Sequence, residues 1–206
     1  DNCILDTLGL KIGYIRYTSF GDKLYAEDLD YVLDKMQHCD GLLLDVRSNG
    51  GGSSSNVYNL AGRFCDQKRL VYRSYAKNGV AHDAFDQGVD LYVEPKGSLQ
   101  FTKRIAILTK RGCYSATSFF TLAMKSFPYV KVIGDTTGGG LGVPNGGQLP
   151  NGWTYRFSVT KTLSPDGKNF ENGIPPDITV WLQDSTLNKG HDDIIERGIL
   201  YVKNGN

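Results

Sequence analysis

A cysteine and a serine stand close together in the segment RGCYSATSFF, residues 111–120, directly after the apolar run RIAILTK. The apolar run predicts a buried strand, and the residues from Ala116 onward predict a helix that Pro128 ends. Ser115 would lie on the first turn of that helix, where its hydroxyl and the N–H of Ala116 both face the sheet edge. From this segment alone, helix capping is the favoured explanation of Ser115. Cys113 is a rival nucleophile, but no histidine lies near it in sequence to lower its pKa.

A second candidate site follows the apolar run GLLLDV, residues 41–46. The loop that comes next, RSNGGGSSS, carries three consecutive glycines and leads into a predicted helix. Free backbone N–H groups and the partial positive charge of a helix N-terminus form a cradle for an anion or an oxyanion. The spacing of a phosphate-binding loop is absent, so nucleotide binding is only a weak interpretation of this loop. A plain glycine turn explains this stretch equally well when it is taken alone.

Together, these segments form part of a longer pattern of four motifs. They are LDVRSNGGG, GCYSAT, VIGDTTGGG and ENGIPPDITV, in that order along the chain. The pattern resembles the C-terminal processing peptidases, a family that includes the bacterial tail-specific proteases and the tricorn core protease. The resemblance covers nearly the whole chain. It implies the crotonase-like, Clp-like ββα fold and serine endopeptidase activity near the carboxyl termini of proteins.

The resemblance also implies roles for four residues. Ser115 falls on the family's nucleophile, and the backbone N–H groups of Gly51 and Ala116 would stabilise the oxyanion. Each such donor contributes about 3 kcal/mol to lowering the barrier of acyl transfer. Glu171, in the segment FENGIPPD, falls on the acid that orients a histidine in the tricorn-like branch. No metal and no organic cofactor is implied.

The general base is where this sequence departs from the family pattern. The tail-specific branch uses a Ser–Lys dyad, and Gly140 stands where its lysine is expected. Three other lysines are interpreted as solvated surface residues: Lys110, Lys125 and Lys161. A Ser–Lys mechanism is therefore not supported by the sequence.

In the tricorn-like branch, the base is a histidine from a region upstream of the strand that opens this chain. The three histidines present are His38, His82 and His191. All three are interpreted as surface residues, and His82 comes nearest to a substitute base. Because a serine without a base stays protonated at neutral pH, we expect the isolated chain to be a weak enzyme or none.

Two other functions fit the same fold. Interphotoreceptor retinoid-binding modules bind apolar ligands, and the 12 Tyr, 9 Phe and 2 Trp of this chain could line an apolar pocket. A pure binding module, however, has no need of Ser115, the triple glycine and Glu171 together. A crotonase-like enzyme acting on acyl-CoA thioesters ranks last, because no basic cluster for the CoA phosphates is visible.

Composition and charge exclude several classes of function. The chain has 206 residues and a formal net charge of +1, so no attraction to nucleic acid or anionic membranes is indicated. No apolar run reaches the length of a membrane span, so membrane insertion is not expected. The four cysteines follow neither disulfide nor zinc spacing, which predicts buried free thiols.

One domain over residues 1–206 is expected, because the sequence shows no linker and no repeat. The resemblance implies a protein or peptide substrate. It also implies an upstream cap and PDZ region of the same protein, outside these residues. The exported tail-specific relatives suggest a location in the cell envelope or periplasm, or secretion, whereas the cytosolic tricorn protease leaves a cytoplasmic location open.

The element order that must position these motifs alternates strand and helix through the first two thirds of the chain. This order favours parallel pairing with crossover helices, that is, an α/β domain with a mixed, mostly parallel sheet and flanking helices. Strands are predicted at residues 11–17, 41–46, 69–77, 104–110, 130–134 and 153–163. Helices are predicted at residues 24–37, 56–65, 116–127 and 192–202. Residues 135–152 are predicted to be a glycine-rich loop.

Overall fold

A six-stranded sheet forms the centre of the molecule, which a computed structural model describes over residues 1–206. Its strands, from one edge to the other, are β1 (Asn2–Thr7), β2 (Leu10–Arg16), β3 (Gly41–Asp45), β6 (Arg104–Thr109), β7 (Val130–Gly134) and β11 (Ile178–Thr179). All neighbours pair in parallel except β1, which lies antiparallel to β2. The predicted α/β class with a mixed, mostly parallel sheet is confirmed.

Helices cover both faces of this sheet. They are α1 (Ala26–Met36), α2 (Ser54–Ala61), α3 (Ala116–Met124) and α5 (Asp193–Asn204). A single helical turn without buried residues, α4 (Asp184–Leu187), precedes α5. On β3, Leu42 and Leu44 pack in the core that includes α1, α2 and α3, whereas Leu43 packs in a second core with α5. The continuous apolar run in the sequence therefore reflects a strand that is buried on both faces.

Two smaller sheets stand beside the central one. The first is antiparallel and has the order β10 (Thr160–Leu163), β4 (Arg69–Ala76), β5 (Val89–Val93). The second is an exposed hairpin of β8 (Pro144–Gln148) and β9 (Thr154–Ser158). Neither β1 nor β5 was predicted from the sequence.

The prediction of one strand over residues 153–163 is wrong, because the chain changes partners at Val159. The N–H of Val159 donates to the carbonyl of Val143 at the base of the hairpin, and its own carbonyl accepts from the N–H of Lys77 in the other sheet. The loop predicted over residues 135–152 is also partly wrong, because it contains β8. The Tyr155 ring lies over Gly147 across the hairpin and covers backbone that glycine leaves bare.

The parallel order brings the candidate segments together. β3 and β6 are direct neighbours, so the glycine loop that follows β3 and the serine segment that follows β6 meet at the same edge of the sheet. Ligands of open α/β sheets bind at this carboxyl edge. The segment after β7 reaches the same place, since β7 pairs with β6.

Candidate active site

Ser115 lies immediately before α3 in a strained backbone conformation, with φ 53° and ψ −120°. Only one other non-glycine residue of the chain, Leu8, has a positive φ. Such strain costs about 1–3 kcal/mol and persists where the surroundings enforce it. The Ser115 side chain caps no N–H of the helix and makes no other hydrogen bond. Helix capping, the favoured explanation from the local sequence, is therefore wrong, and the partly exposed hydroxyl is free to react, as in a nucleophile elbow.

Backbone hydrogen bonds from distant segments enforce this turn. The N–H of Ser115 donates to the carbonyl of Gly139 at 2.9 Å. The N–H of Tyr114 donates to the carbonyl of Asn49 at 3.3 Å, and the carbonyl of Ser115 accepts from the N–H of Phe119 at 3.0 Å. The strained residue is thus held between the glycine loop, the segment after β7 and its own helix.

The structure brings Gly51, Ser115 and Ala116 into contact. A Cβ added to Gly51 would lie 2.6 Å from the Tyr114 carbonyl oxygen, 2.9 Å from Ala116 N and 3.0 Å from Ser115 Cβ, and its φ is +104°. Only glycine fits such a position. The N–H of Ala116 has no protein acceptor, while the N–H of Gly51 donates to Asn49 Oδ1 at 2.9 Å.

Glu171 reaches the same edge of the sheet through the residue pair Gly139–Gly140. Gly139 accepts from the N–H of Ser115, and the N–H of Gly140 donates to the carbonyl of Glu171 at 2.9 Å. Gly139 packs so closely on Glu171 that a Cβ at residue 139 would lie in the Glu171 backbone. The Glu171 carboxylate is half-buried and makes neither a hydrogen bond nor an ion pair. A carboxylate in this state is available to a partner that enters the site.

Gly140 has a φ of +76°, which disfavours any residue with a side chain, lysine included. A Cβ there would lie 2.5 Å from Cζ of Tyr114, so this exposed ring would also have to move. Of the other lysines, Lys125 pairs with Asp177 at 2.6 Å. Lys161 lies over the aromatic rings of Tyr75 and Phe85, at 5.2 and 4.4 Å. Lys110 is exposed, as predicted, whereas Lys125 and Lys161 are half-buried. No lysine side chain hydrogen-bonds to Ser115, so no Ser–Lys dyad is formed.

None of the histidines contacts Ser115 by a hydrogen bond. His82 lines an open groove of about 390 Å³ together with Glu171 and Asp83, but Ser115 is not part of its lining. His191 bonds to Glu196 at 2.8 Å, and His38 is exposed after the end of α1. None of the three histidines of the chain is therefore positioned as the general base for Ser115.

Cys113 is excluded as the nucleophile. Its side chain is fully buried, and its Sγ lies 3.1 Å from the carbonyl oxygen of Val46, to which it donates. Burial raises the pKa of the Cys113 thiol to about 11. At pH 8, only about one thiol in 10³ would be ionised.

The prediction of buried free thiols is confirmed for Cys39, Cys65 and Cys113 and is wrong for Cys3, which is exposed. We predict that iodoacetamide at pH 8 alkylates Cys3 and leaves Cys113 unmodified in the folded protein. Peptide mapping by mass spectrometry measures both sites in one digest. Denatured protein, in which both residues should be alkylated, is the control. Modification of Cys113 at a rate similar to that of Cys3 would contradict this assignment.

Sequence reasoning missed a charged network beneath the glycine loop. Arg47 bonds to Asp45 at 2.7 Å and to Asp192, which caps the N-terminus of α5, also at 2.7 Å. Burial by itself raises the pKa of the Asp45 carboxyl. The hydrogen bonds from Arg47 and its positive charge outweigh that effect and hold the pKa below its ordinary value. Tyr14 donates to the same carboxylate. The available signal was a charged residue at the end of a buried strand, Asp45, with a second one, Arg47, two residues later.

Comparison with known proteins identifies the family. The family model described as "Peptidase family S41" matches residues 11–180, which is most of the chain. The chain belongs to peptidase family S41. This is a family of serine-type peptidases, so the resemblance seen in the four motifs is confirmed.

The S41 relatives are longer proteins. The "Probable CtpA-like serine protease" of Staphylococcus aureus (strain bovine RF122 / ET3-1) is 31% identical over 174 residues, which is 82% of this chain and 33% of the relative. The chain thus spans about a third of the length of the curated relatives it matches. This S41 chain is also similar to the crystal structure of a "putative peptidase" from Parabacteroides merdae ATCC 43184. The TM-score is 0.89 at 37% identity, covering 94% of this chain and 64% of that one.

The crystal structure of the tricorn protease matches with a TM-score of 0.53 at 19% identity, over 95% of this chain and 18% of that one. At this identity, the match supports the fold alone. None of the helices has the length and apolar character needed to cross a membrane. No cluster of three or more metal-binding side chains is present.

Proposed function

We propose that this S41 domain is the catalytic core of a serine endopeptidase that cleaves peptide bonds near the carboxyl termini of proteins or peptides. The observation that carries the proposal is the uncapped hydroxyl of Ser115, held at φ 53° beside the unpaired N–H of Ala116. Such backbone strain costs about 1–3 kcal/mol and is typical of functional sites, so a purely structural role does not account for it.

In the proposed mechanism, Ser115 Oγ attacks the substrate carbonyl carbon while a base takes the hydroxyl proton. The N–H groups of Ala116 and Gly51 stabilise the negative oxygen that develops. The tetrahedral intermediate then collapses to an acyl-enzyme, and the leaving amine takes the proton from the base. Water then attacks the acyl-enzyme while the base takes its proton, and Ser115 leaves with that proton as the carboxylic product is released.

Gly51 can serve as a donor only if its N–H is shared. It donates to Asn49 Oδ1 in this structure, at 2.9 Å. A charged oxygen is a stronger acceptor than a neutral amide, and one N–H can bond two acceptors at once. The oxyanion would therefore compete well for this donor.

We place the general base outside these residues. Glu171 carries a carboxylate without a partner, while no histidine of the chain bonds to Ser115. The curated relatives are about three times as long as the matched region, so other segments are available in proteins of this family. A histidine from an upstream cap or PDZ region, oriented by Glu171, would complete a tricorn-like triad.

Glu171→Gln is expected to lower the rate of peptide cleavage by the full-length protein by roughly 10²- to 10⁴-fold, because a neutral amide cannot stabilise the charged histidine. Asp83→Asn is the matched control, since Asp83 lines the same groove and has no proposed role. Cleavage is measured with a fluorogenic peptide. Equal rates for the two variants would remove Glu171 from the mechanism.

The position of cleavage tests the substrate class. Mass spectrometry of proteins treated with the full-length enzyme should show cuts clustered near carboxyl termini. Cuts spread evenly along the substrates would show a general endopeptidase instead. The cell-envelope location also stays a prediction, and fractionation of the source cells tests it.

The alternative function, binding of an apolar ligand, finds little support in the cavities. The apolar cavity between β2 and α1, lined by Leu29, Leu33 and Phe64 among others, measures only about 140 Å³. Ligand pockets usually begin at about 300 Å³. The cavity also does not include Ser115.

A further inference from the structure

Asn49 lies directly before the three glycines, is 0% exposed, and uses every polar atom of its side chain. Its Nδ2 donates to the carbonyl of Tyr17 at 3.1 Å. Its Oδ1 accepts from the N–H of Gly51 at 2.9 Å and from the hydroxyl of Thr117 at 2.7 Å. One buried amide therefore connects the chain after β2, the glycine loop and the first turn of α3.

This connection spans the two sides of the proposed oxyanion site. Gly51 lies two residues after Asn49, and Thr117 lies next to Ala116 in the helix that Ser115 begins. Thr117 is also 0% exposed, so its bond to Asn49 forms away from water, where hydrogen bonds are stronger and an unpaired group is costly. Through Asn49 Oδ1, the bond links the loop that carries Gly51 to the helix turn that carries Ala116.

We propose that Asn49 and Thr117 form a buried brace that positions Gly51 for oxyanion stabilisation. The inference rests on the proposed function for its catalytic part. Neither residue touches the substrate, so both are positioning residues. Asn49 Oδ1 holds the Gly51 N–H at the site until the developing oxyanion shares it, and the Thr117 hydroxyl holds Asn49 Oδ1 in turn.

Thr117→Val in the full-length protein tests the brace, because valine keeps the shape of threonine and removes only the hydroxyl. We expect kcat for peptide cleavage, and the rate of fluorophosphonate labelling of Ser115, to fall about tenfold, with KM unchanged. Thr117→Ser, which keeps the hydroxyl, should restore most of the rate.

Thr121→Val is the matched control. Thr121 is equally buried in the same helix, but its hydroxyl donates only to the carbonyl of Thr117, at 2.8 Å. The two valine variants should lose similar thermal stability, and only Thr117→Val should lose kcat. Equal losses of kcat in both variants would reduce the role of Thr117 to general stability and overturn the inference.

Hydrogen exchange of the loop 48–53 gives a readout that does not depend on Ser115 chemistry. Thr117→Val should raise amide exchange in this loop, and Thr121→Val should not. If the parent protein shows neither labelling nor cleavage but the exchange changes selectively, the proposed function fails while the brace stands. Unchanged exchange in Thr117→Val would show that the brace does not hold the loop.

Discussion

Ser115→Ala in the full-length protein is expected to abolish fluorophosphonate labelling and to slow peptide cleavage by about 10⁴-fold or more, as loss of a serine nucleophile does in other peptidases. The physical reason is that no second nucleophile is available at the site, since Cys113 is buried with its pKa raised to about 11. Because the Ser115 side chain makes no hydrogen bond, the substitution should leave thermal stability nearly unchanged.

Ser126→Ala provides the control, since Ser126 lies after the other end of α3 and its hydroxyl bonds only to the carbonyl of Ala123. Labelling should be compared between the 206-residue chain and a longer form that carries the upstream region. Labelling of the longer form alone would place the general base outside the chain. An absence of labelling in both forms would favour the ligand-binding alternative, with Gly140 as the mark of a lost active site.

Gly51→Ala should lower the labelling rate of the full-length protein by about 10²- to 10³-fold, the usual effect of losing one oxyanion donor. A methyl group there would lie 2.6 Å from the Tyr114 carbonyl and 2.9 Å from Ala116 N, at a φ of +104° that disfavours alanine. The loop must therefore move away from Ser115, and the N–H of Gly51 moves with it.

The neighbouring glycine makes this prediction specific. A Cβ at Gly50 would meet nothing within 4 Å, and Gly50 does not have a positive φ. Gly50→Ala should therefore label at nearly the parent rate, which a kinetic series with a fluorescent fluorophosphonate measures. Similar losses in the two alanine variants would mean that the loop tolerates no substitution, and the oxyanion role of Gly51 would lose its support.

Local patterns predicted the central elements well. The apolar run of β3 and the helical spacing of α1 are properties of neighbouring residues, and both elements form close to the predicted bounds. The hairpin was missed because β8 has the sequence PNGGQ, which carries no strand-forming residue. Its pairing depends on Tyr155 and the rest of the opposite strand.

The order of the motifs predicted the candidate site, but it did not predict the contacts within that site. Ser115, Gly51 and Glu171 came from a resemblance along the chain, whereas the brace through Asn49 and Thr117 leaves no periodic signal. Its two partners are 68 residues apart and meet only because β3 and β6 are adjacent in the sheet.

The sequence by itself determined the fold class, the peptidase family and the segment that carries Ser115, because these follow from local patterns and from motif order. Only the tertiary structure decided that Ser115 is a free hydroxyl and not a helix cap. Its φ of 53° is imposed by Gly139 and by the glycine loop, which are distant in the chain. The sequence already showed that Gly140 stands where a lysine is expected, whereas only the tertiary structure shows that the φ of Gly140 is +76° and that the Tyr114 ring lies beside it.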